Sequence, residues 1–185
     1  ALTIRAVDER PDLFERLVLI EPTGIETLNS PSESPVRRSV RGVLRSPLLG
    51  QGVYNLVASR SSIRYFLKRQ TYADPDAVTP ALVDYYYTTA HQPGARFAPA
   101  SFISGTLDTP VTSAYERLTV PILLVWGKDA PLTPLEQARG FRQHNTRAEI
   151  HVFDCGALPP DEVPDEFARE VGAWLRTSLR SRRTR

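Results

Sequence analysis

Few side chains in this sequence could act as a base or a nucleophile. The 185 residues include three histidines and one cysteine. His151 lies in an apolar run typical of a β-strand and His144 lies near a predicted helix end, so both are interpreted as structural. His91, in the stretch TTAHQPGARF, is the histidine that we consider a candidate to face a ligand cleft. Cys155 has no histidine beside it and is interpreted as a structural thiol.

The sequence also lacks the turn that presents a catalytic serine. Such a serine usually lies on a strained Gly-x-Ser-x-Gly turn, beside backbone N–H groups that stabilise an oxyanion. Ser104, in ISGTL, has one neighbouring glycine, and Ser61, in SRSSI, has none. The stretch GQGVYN lacks the third glycine of a dinucleotide loop, and no spacing of histidine, cysteine and acidic residues resembles a metal site. We therefore predict no metal, no cofactor and no nucleophile within the chain.

Length and composition predict a single soluble domain. The apolar fraction is 41% and the charged fraction 24%, which are ordinary values for a globular protein. No stretch approaches the roughly 18 apolar residues of a membrane-spanning helix, and the first residues do not resemble a signal peptide. A single cysteine fits a reducing compartment, so the expected location is the cytoplasm.

The basic character of the chain comes from its last ten residues. The formal net charge is +2, but residues 176–185 contain five arginines and no acid, which leaves 18 basic and 21 acidic residues elsewhere. We interpret this tail as a solvated terminus, and we do not expect nucleic-acid binding.

Three apolar runs, over residues 16–22, 120–127 and 148–154, are typical of buried strands in a parallel sheet. Between the second and third runs, Thr133 and Pro134 predict a helix start, and after the third run a helix is predicted from Pro164. Strand, helix, strand and helix alternate to the end of the chain.

The long interval between the first two strands is punctuated by proline and predicts helices. One helix is predicted to open at Ser34 and Pro35, and others at residues 53–57, at residues 63–67 and after Thr79. We therefore predict an α/β core formed by residues 1–22 and 119–179, a helical lid over residues 23–118, and a basic tail over residues 180–185.

This order of elements resembles the lid and C-terminal half of an α/β-hydrolase. The resemblance lies in three stretches, ALTIRAVDERPDLFERLVLIEP, VPILLVWGKDAPLTPLEQA and AEIHVFDCGALPPDEVPDEFAREVGAWL. They are similar to the sixth strand with its preceding helix, the seventh strand with its loop, and the eighth strand with the histidine loop and last helix. The similar branch is the cap-bearing one that includes haloalkane dehalogenases and epoxide hydrolases. The resemblance implies a partial parallel sheet, with the nucleophile elbow located before Ala1.

The resemblance also implies positions for the remaining catalytic groups. The acid position after the seventh strand is occupied by Ala130, while Asp129 lies one residue early. Some members of the branch take the acid from the end of the sixth strand, where this chain has Glu21. The two positions that can hold histidine in the family are Ala157 and Pro160, neither of which can carry a proton. Glu21 and Asp129 are thus the remaining acid candidates, with a purely structural role as the alternative for each.

A cleft under the predicted lid is where a ligand would bind. His91, Phe66 and Tyr86 are candidates to line it, although lid aromatic residues can equally be packing residues. One hypothesis makes the chain part of a hydrolase of small apolar esters, epoxides or halides, inactive without the missing half. The alternative is a non-catalytic binding or interaction protein. In both cases the strand at Leu17–Ile20 would expose an apolar edge, so we expect as partner either the first half of the fold or a second copy.

Overall fold

The computed structural model describes residues 1–25, 46, 50–97 and 110–182, with side chains up to residue 177. The predicted helix at Ser34 and Pro35, and Ser104, lie outside the described residues, as do the side chains of the predicted basic tail. Among the described helices, none has the length and apolar character needed to cross a membrane.

The core is a parallel sheet of three strands in the order β1-β2-β3. These strands are β1, Leu17–Ile20, β2, Ile122–Gly127, and β3, Ala148–Phe153. In register, Leu17 lies opposite Ile122, and Ile122 lies opposite Ala148. All six residues of β2 are buried, as expected for a central strand that is covered on both faces. The prediction of an α/β protein with three parallel strands is confirmed, with each strand slightly shorter than its apolar run.

Two helical layers cover the sheet. One face packs against helices α1, Leu2–Glu9, α5, Thr112–Arg117, and α6, Glu136–His144. The fully buried Trp126 lies in this layer together with Tyr115 and Phe141. The other face packs against α8, Pro164–Arg182, through Val171 and Phe167. Alternate residues of β2 contribute to the two layers because successive strand side chains point to opposite faces.

The lid elements lie between β1 and β2 in the chain. They are α2, Gly50–Val57, α3, Arg60–Phe66, a π-helical turn at Leu67–Thr71, a 3₁₀ turn at Pro75–Ala77, and α4, Pro80–Ala90. The helix predicted after Thr79 is confirmed, because the Thr79 hydroxyl accepts a hydrogen bond from the Leu82 N–H at 3.2 Å. The chain leaves and rejoins the core at one place, where the Val111 N–H donates to the Gly24 carbonyl at 3.0 Å.

The start of α6 differs from its prediction. The helix begins at Glu136 and has no side-chain cap at its first residue, so the predicted capping role of Thr133 is wrong. The Thr133 hydroxyl instead donates to the carboxylate of Glu21, at the end of the neighbouring strand. Helix α5 lies within the interval predicted as lid, yet Tyr115 and Ala114 pack in the core cluster beneath the sheet.

Candidate functional site

The carboxyl ends of β2 and β3 meet at a close crossing of two loops. The Lys128 N–H donates to the Phe153 carbonyl at 2.9 Å, and the Asp129 N–H donates to the Cys155 carbonyl at 3.0 Å. A Cβ atom on Gly127 would lie 1.6 Å from the Gly156 carbonyl oxygen, so only glycine fits at this point. This edge of an open parallel sheet is where ligands bind in α/β proteins.

Glu21 places a carboxylate at this crossing from the end of β1. It accepts hydrogen bonds from the Gly127 N–H at 2.6 Å and from the Thr133 hydroxyl. Its φ of +45° is unusual for a residue with a side chain and is a local backbone strain. Burial raises the pKa of Glu21 above its usual value, while the two hydrogen bonds oppose that rise. A strained residue with a perturbed pKa at a sheet edge is a candidate functional group.

The second acid candidate is placed differently. The side chain of Asp129 is exposed, and its backbone is fixed by the hydrogen bond to Cys155. Ala130, the next residue, is buried at 6% exposure. The structure therefore brings Glu21 to the inside of the crossing and leaves Asp129 on its outside.

The loop that follows β3, residues 154–158, is in backbone contact with the lid. We call residues 71–73 of the lid the strap. The Ala157 N–H donates to the Thr71 carbonyl at 2.7 Å. A Cβ atom on Gly156 would lie 2.2 Å from the Thr71 carbonyl oxygen, which is closer than any real contact. The strap thus lies directly on the β3 loop.

Two acidic residues of the short helix α7, Pro159–Glu162, reach this contact. The Tyr72 hydroxyl donates to Asp161, and the Ala73 N–H donates to Glu162 at 2.8 Å. Burial, followed by the contact with Asp161, raises the pKa of Tyr72. Both residues lie in the single turn of α7, where Glu162 also accepts a hydrogen bond from the N–H of Leu158, the residue that precedes the helix, as a capping residue does. Their carboxylates therefore bind both the lid and the loop.

Comparison with known proteins shows which fold this arrangement belongs to. The alpha/beta hydrolase family matches the chain over residues 1–170. The chain belongs to the alpha/beta hydrolase family. Its three strands and lid correspond to the C-terminal half of that fold, as the sequence predicted.

Solved structures of alpha/beta hydrolases agree with this assignment. A meta-cleavage product hydrolase from Pseudomonas fluorescens is 20% identical, with a TM-score of 0.68 over 96% of this chain and 61% of that one. A thermophilic esterase from Thermogutta terrifontis is 16% identical, with a TM-score of 0.67 over 94% of this chain and 60% of that one. A 2-hydroxy-6-oxo-6-phenylhexa-2,4-dienoate hydrolase from Rhodococcus sp. strain RHA1 is 17% identical, with a TM-score of 0.67 over 95% of this chain and 60% of that one. The chain thus spans about 60% of the length of these structures, and at these identities they show a shared fold alone.

Within this alpha/beta hydrolase chain, the predicted cleft residues lie in different parts of the lid. Tyr86 is half-buried and packs against the cluster around Tyr72, close to the strap. Phe66 ends α3 and is 49% exposed. His91 lines a separate cavity of about 350 Å³ with Tyr54 and other residues of the lid. The structure therefore places only Tyr86 beside the β3 loop.

The ring of His91 is fixed by two contacts. Its Nδ1 lies 2.8 Å from the Tyr87 carbonyl oxygen, so Nδ1 carries the proton in that hydrogen bond. The ring also stacks on Tyr87 with centroids 4.0 Å apart. These contacts orient the ring within the lid.

The remaining histidines and the cysteine pack away from the loop crossing or beneath it. His144 Nδ1 lies 2.8 Å from Glu116 Oε1, and His151 lies in β3 with its ring 4.6 Å from that of Phe153. Cys155 is buried, and burial raises the pKa of its thiol to about 12. In the described part of the chain, no three histidine, cysteine or acidic residues are grouped to hold a metal ion.

Sequence reasoning missed three polar contributors to the site, Thr133, Tyr72 and Glu162. Thr133 matched a capping pattern, and Tyr72 stood in a lid region without a recognisable motif. Their partners lie 112 and 89 residues away in the chain, so only the fold reveals the pairs. For Glu162, the available signal was the acidic pair that follows Pro159 and Pro160 in the loop.

Proposed function

We propose that this chain is the lid and C-terminal half of a hydrolase-like protein whose nucleophile lies outside residues 1–185. We further propose that these residues alone do not hydrolyse substrates. The observation that carries the proposal is Ala157, which stands at the family's histidine position and whose N–H is bound to the Thr71 carbonyl. Ala130, at the usual acid position, is buried and also unable to carry charge. Without a proton acceptor there, neither a serine nor a water would be activated in the usual way.

The substrate class that we propose is small and apolar, with esters as the first choice and epoxides or halides as further candidates. Support comes from the family and from the names of similar structures, which include an esterase and meta-cleavage product hydrolases. The half-buried Tyr86 beside the strap supplies an aromatic surface near the β3 loop.

A non-catalytic binding protein is the second candidate. The strap is hydrogen-bonded to the β3 loop through Thr71 and to α7 through Ala73. The two histidine positions implied by the family are Ala157 and Pro160, and neither residue can carry a proton. A lid fixed over a site without a base is suited to retaining a ligand. Binding without turnover by the complete polypeptide would favour this candidate.

The partner that we propose is the first half of the fold, with a second copy of the chain as the alternative. In the described residues β1 pairs with β2 alone, so its other edge carries no strand. Ile20 is 40% exposed, and Val18 is only partly buried. An apolar parallel strand is normally covered on both edges and faces, which supports a missing neighbour at this edge.

The test compares residues 1–185 with the polypeptide as its source makes it. Both are assayed for hydrolysis of p-nitrophenyl butyrate and for labelling by a fluorophosphonate, which reacts with activated serines. We expect neither signal from residues 1–185. Labelling of a serine in a longer polypeptide would favour the hydrolase and would require a base at a position other than Ala157 to activate that serine. Turnover by residues 1–185 alone would contradict the proposal. Retention of the ester without turnover or labelling in the complete polypeptide would favour the binding protein.

A further inference from the structure

The strap and the β3 loop approach each other more closely than side chains would allow. A Cβ atom on Gly156 would lie 2.2 Å from the Thr71 carbonyl oxygen and 2.7 Å from the Ala73 nitrogen. The hydrogen bond from the Ala157 N–H to the Thr71 carbonyl, at 2.7 Å, joins the two backbones directly. Lid and loop therefore meet through main-chain atoms that only a glycine permits.

A single carboxylate bridges this contact. Glu162 accepts hydrogen bonds from the Gly156 N–H at 3.0 Å and the Leu158 N–H at 3.2 Å, both on the β3 loop. It also accepts from the Ala73 N–H of the strap at 2.8 Å. Hydrogen bonds to a charged acceptor are roughly twice as strong as those between neutral groups. Glu162 thus holds both sides of the contact from one helix end.

A second carboxylate, one residue earlier, holds the strap by its side chain. Asp161 accepts a hydrogen bond from the Tyr72 hydroxyl. Tyr72 is 7% exposed and packs in the lid cluster with Leu67, Val83 and the loop residue Leu158. The Tyr72 ring therefore anchors the lid interior to α7, beside the backbone bridge made by Glu162.

The strap itself is joined to the lid by irregular backbone. It begins at the last residue of the π-helical turn Leu67–Thr71 and precedes the 3₁₀ turn Pro75–Ala77. Helical turns of the π type are rare and often occur at functional sites. The strap thus relies on partners outside its own element to fix its position.

We propose that Asp161 and Glu162 form a lid latch, which holds the strap on the β3 loop at the carboxyl edge of the sheet. Opening of the lid at this edge requires release of the strap from both carboxylates. The latch assigns no catalytic step to its residues, so it does not depend on the proposed function. It would operate in a hydrolase and in a binding protein alike.

Cys155 provides a reporter for opening of the latch. It immediately precedes Gly156 and is 2% exposed, so an alkylating reagent reaches it only when the loop opens. When the loop opens and closes faster than the thiol reacts, the alkylation rate is proportional to the fraction of molecules with an open loop. Glu162 contributes to the raised pKa of the thiol, so a substitution at Glu162 would change its reactivity directly. Tyr72→Phe leaves every carboxylate in place and avoids this problem.

The first experiment compares Tyr72→Phe with Tyr85→Phe, whose side chain is 68% exposed on the next lid helix. Alkylation at Cys155 by iodoacetamide is followed by peptide mass spectrometry. Loss of a hydrogen bond to a charged group shifts an equilibrium by about tenfold. We therefore expect about tenfold faster alkylation in Tyr72→Phe and an unchanged rate in Tyr85→Phe. Equal rates in Tyr72→Phe and the unsubstituted protein would overturn the latch.

Hydrogen exchange supplies the second measurement, because it does not depend on the thiol. In Glu162→Gln we expect the amides of Ala73 and Ala157 to lose protection together, while those of β2 and β3 keep it. Glu166→Gln, an exposed side chain in the first turn of α8, is the matched control and should leave both amides protected. Loss of protection at Ala157 alone, or equal loss throughout β2, would overturn the latch, because the effect would then be confined to the loop or global.

Discussion

Glu21 holds an ionisable carboxyl group against the backbone of the neighbouring strand. Burial raises its pKa above the ordinary value of 4.5, so the folded chain holds this proton more tightly than the unfolded chain. The resulting contribution to the free energy of unfolding is fully present below the pKa that Glu21 has in the unfolded chain. It is lost as pH rises through the pKa that Glu21 has in the folded chain. Glu21→Gln keeps a neutral side chain at every pH. In urea titrations from pH 4 to pH 8, we expect the unsubstituted protein to lose stability relative to Glu21→Gln as pH rises. A relative gain would show that the hydrogen bonds from Gly127 and Thr133 outweigh burial.

Tyr115 presents a second prediction about a single residue. Its side chain is fully buried against Phe141, and its hydroxyl group has no hydrogen-bond partner among the residues that the structure describes. A buried hydroxyl without a partner costs roughly 1–3 kcal/mol, so Tyr115→Phe should stabilise the fold by about 1 kcal/mol. The exposed Tyr85→Phe is the control and should change stability by less than about 0.5 kcal/mol. A loss of more than about 1 kcal/mol in Tyr115→Phe would show that the hydroxyl binds a buried water.

At the scale of elements, the strands and helices that have a local sequence pattern were predictable. The apolar run of β2 and the capped start of α4 at Thr79 predicted their elements because burial and capping act locally. The prediction for the start of α6 failed because the Thr133 hydroxyl donates to Glu21, at the end of β1. No local sequence pattern contains this contact. The lid latch was missed for the same reason, since Tyr72 and Asp161 are 89 residues apart.

The free edge of β1 leads to a prediction about association. The N–H groups of Leu17 and Glu21 donate to β2, so by alternation the N–H of Ile20 points to the free edge. Proline at this position removes that donor and leaves the pairing with β2 intact. We expect residues 1–185 to associate beyond the 20.7 kDa monomer in light scattering, and Ile20→Pro to be monomeric. The control, Ile20→Ala, keeps the N–H and should still associate. A monomeric unsubstituted chain would exclude pairing between two copies at this edge.

At the scale of the whole molecule, the residues that the structure describes show two places where the lid is joined to the core. One is the crossing of Val111 with Gly24, where the chain leaves and rejoins the core. The other is the lid latch, where α7 holds the strap on the β3 loop. The chain belongs to the alpha/beta hydrolase family and spans about 60% of the length of similar structures. Its lid is therefore mounted on the C-terminal half of that fold.

The most direct measurement is the hydrolysis of p-nitrophenyl butyrate by purified residues 1–185, read as release of p-nitrophenol. Because Ala157 and Ala130 carry no proton acceptor, we expect the rate with protein to equal the rate in buffer at every protein concentration. The half-buried Glu21 is the carboxylate that we consider the alternative base, so Glu21→Gln is assayed in parallel. A rate that rises in proportion to protein concentration and disappears in Glu21→Gln would contradict the proposed inactivity and assign a base to these residues.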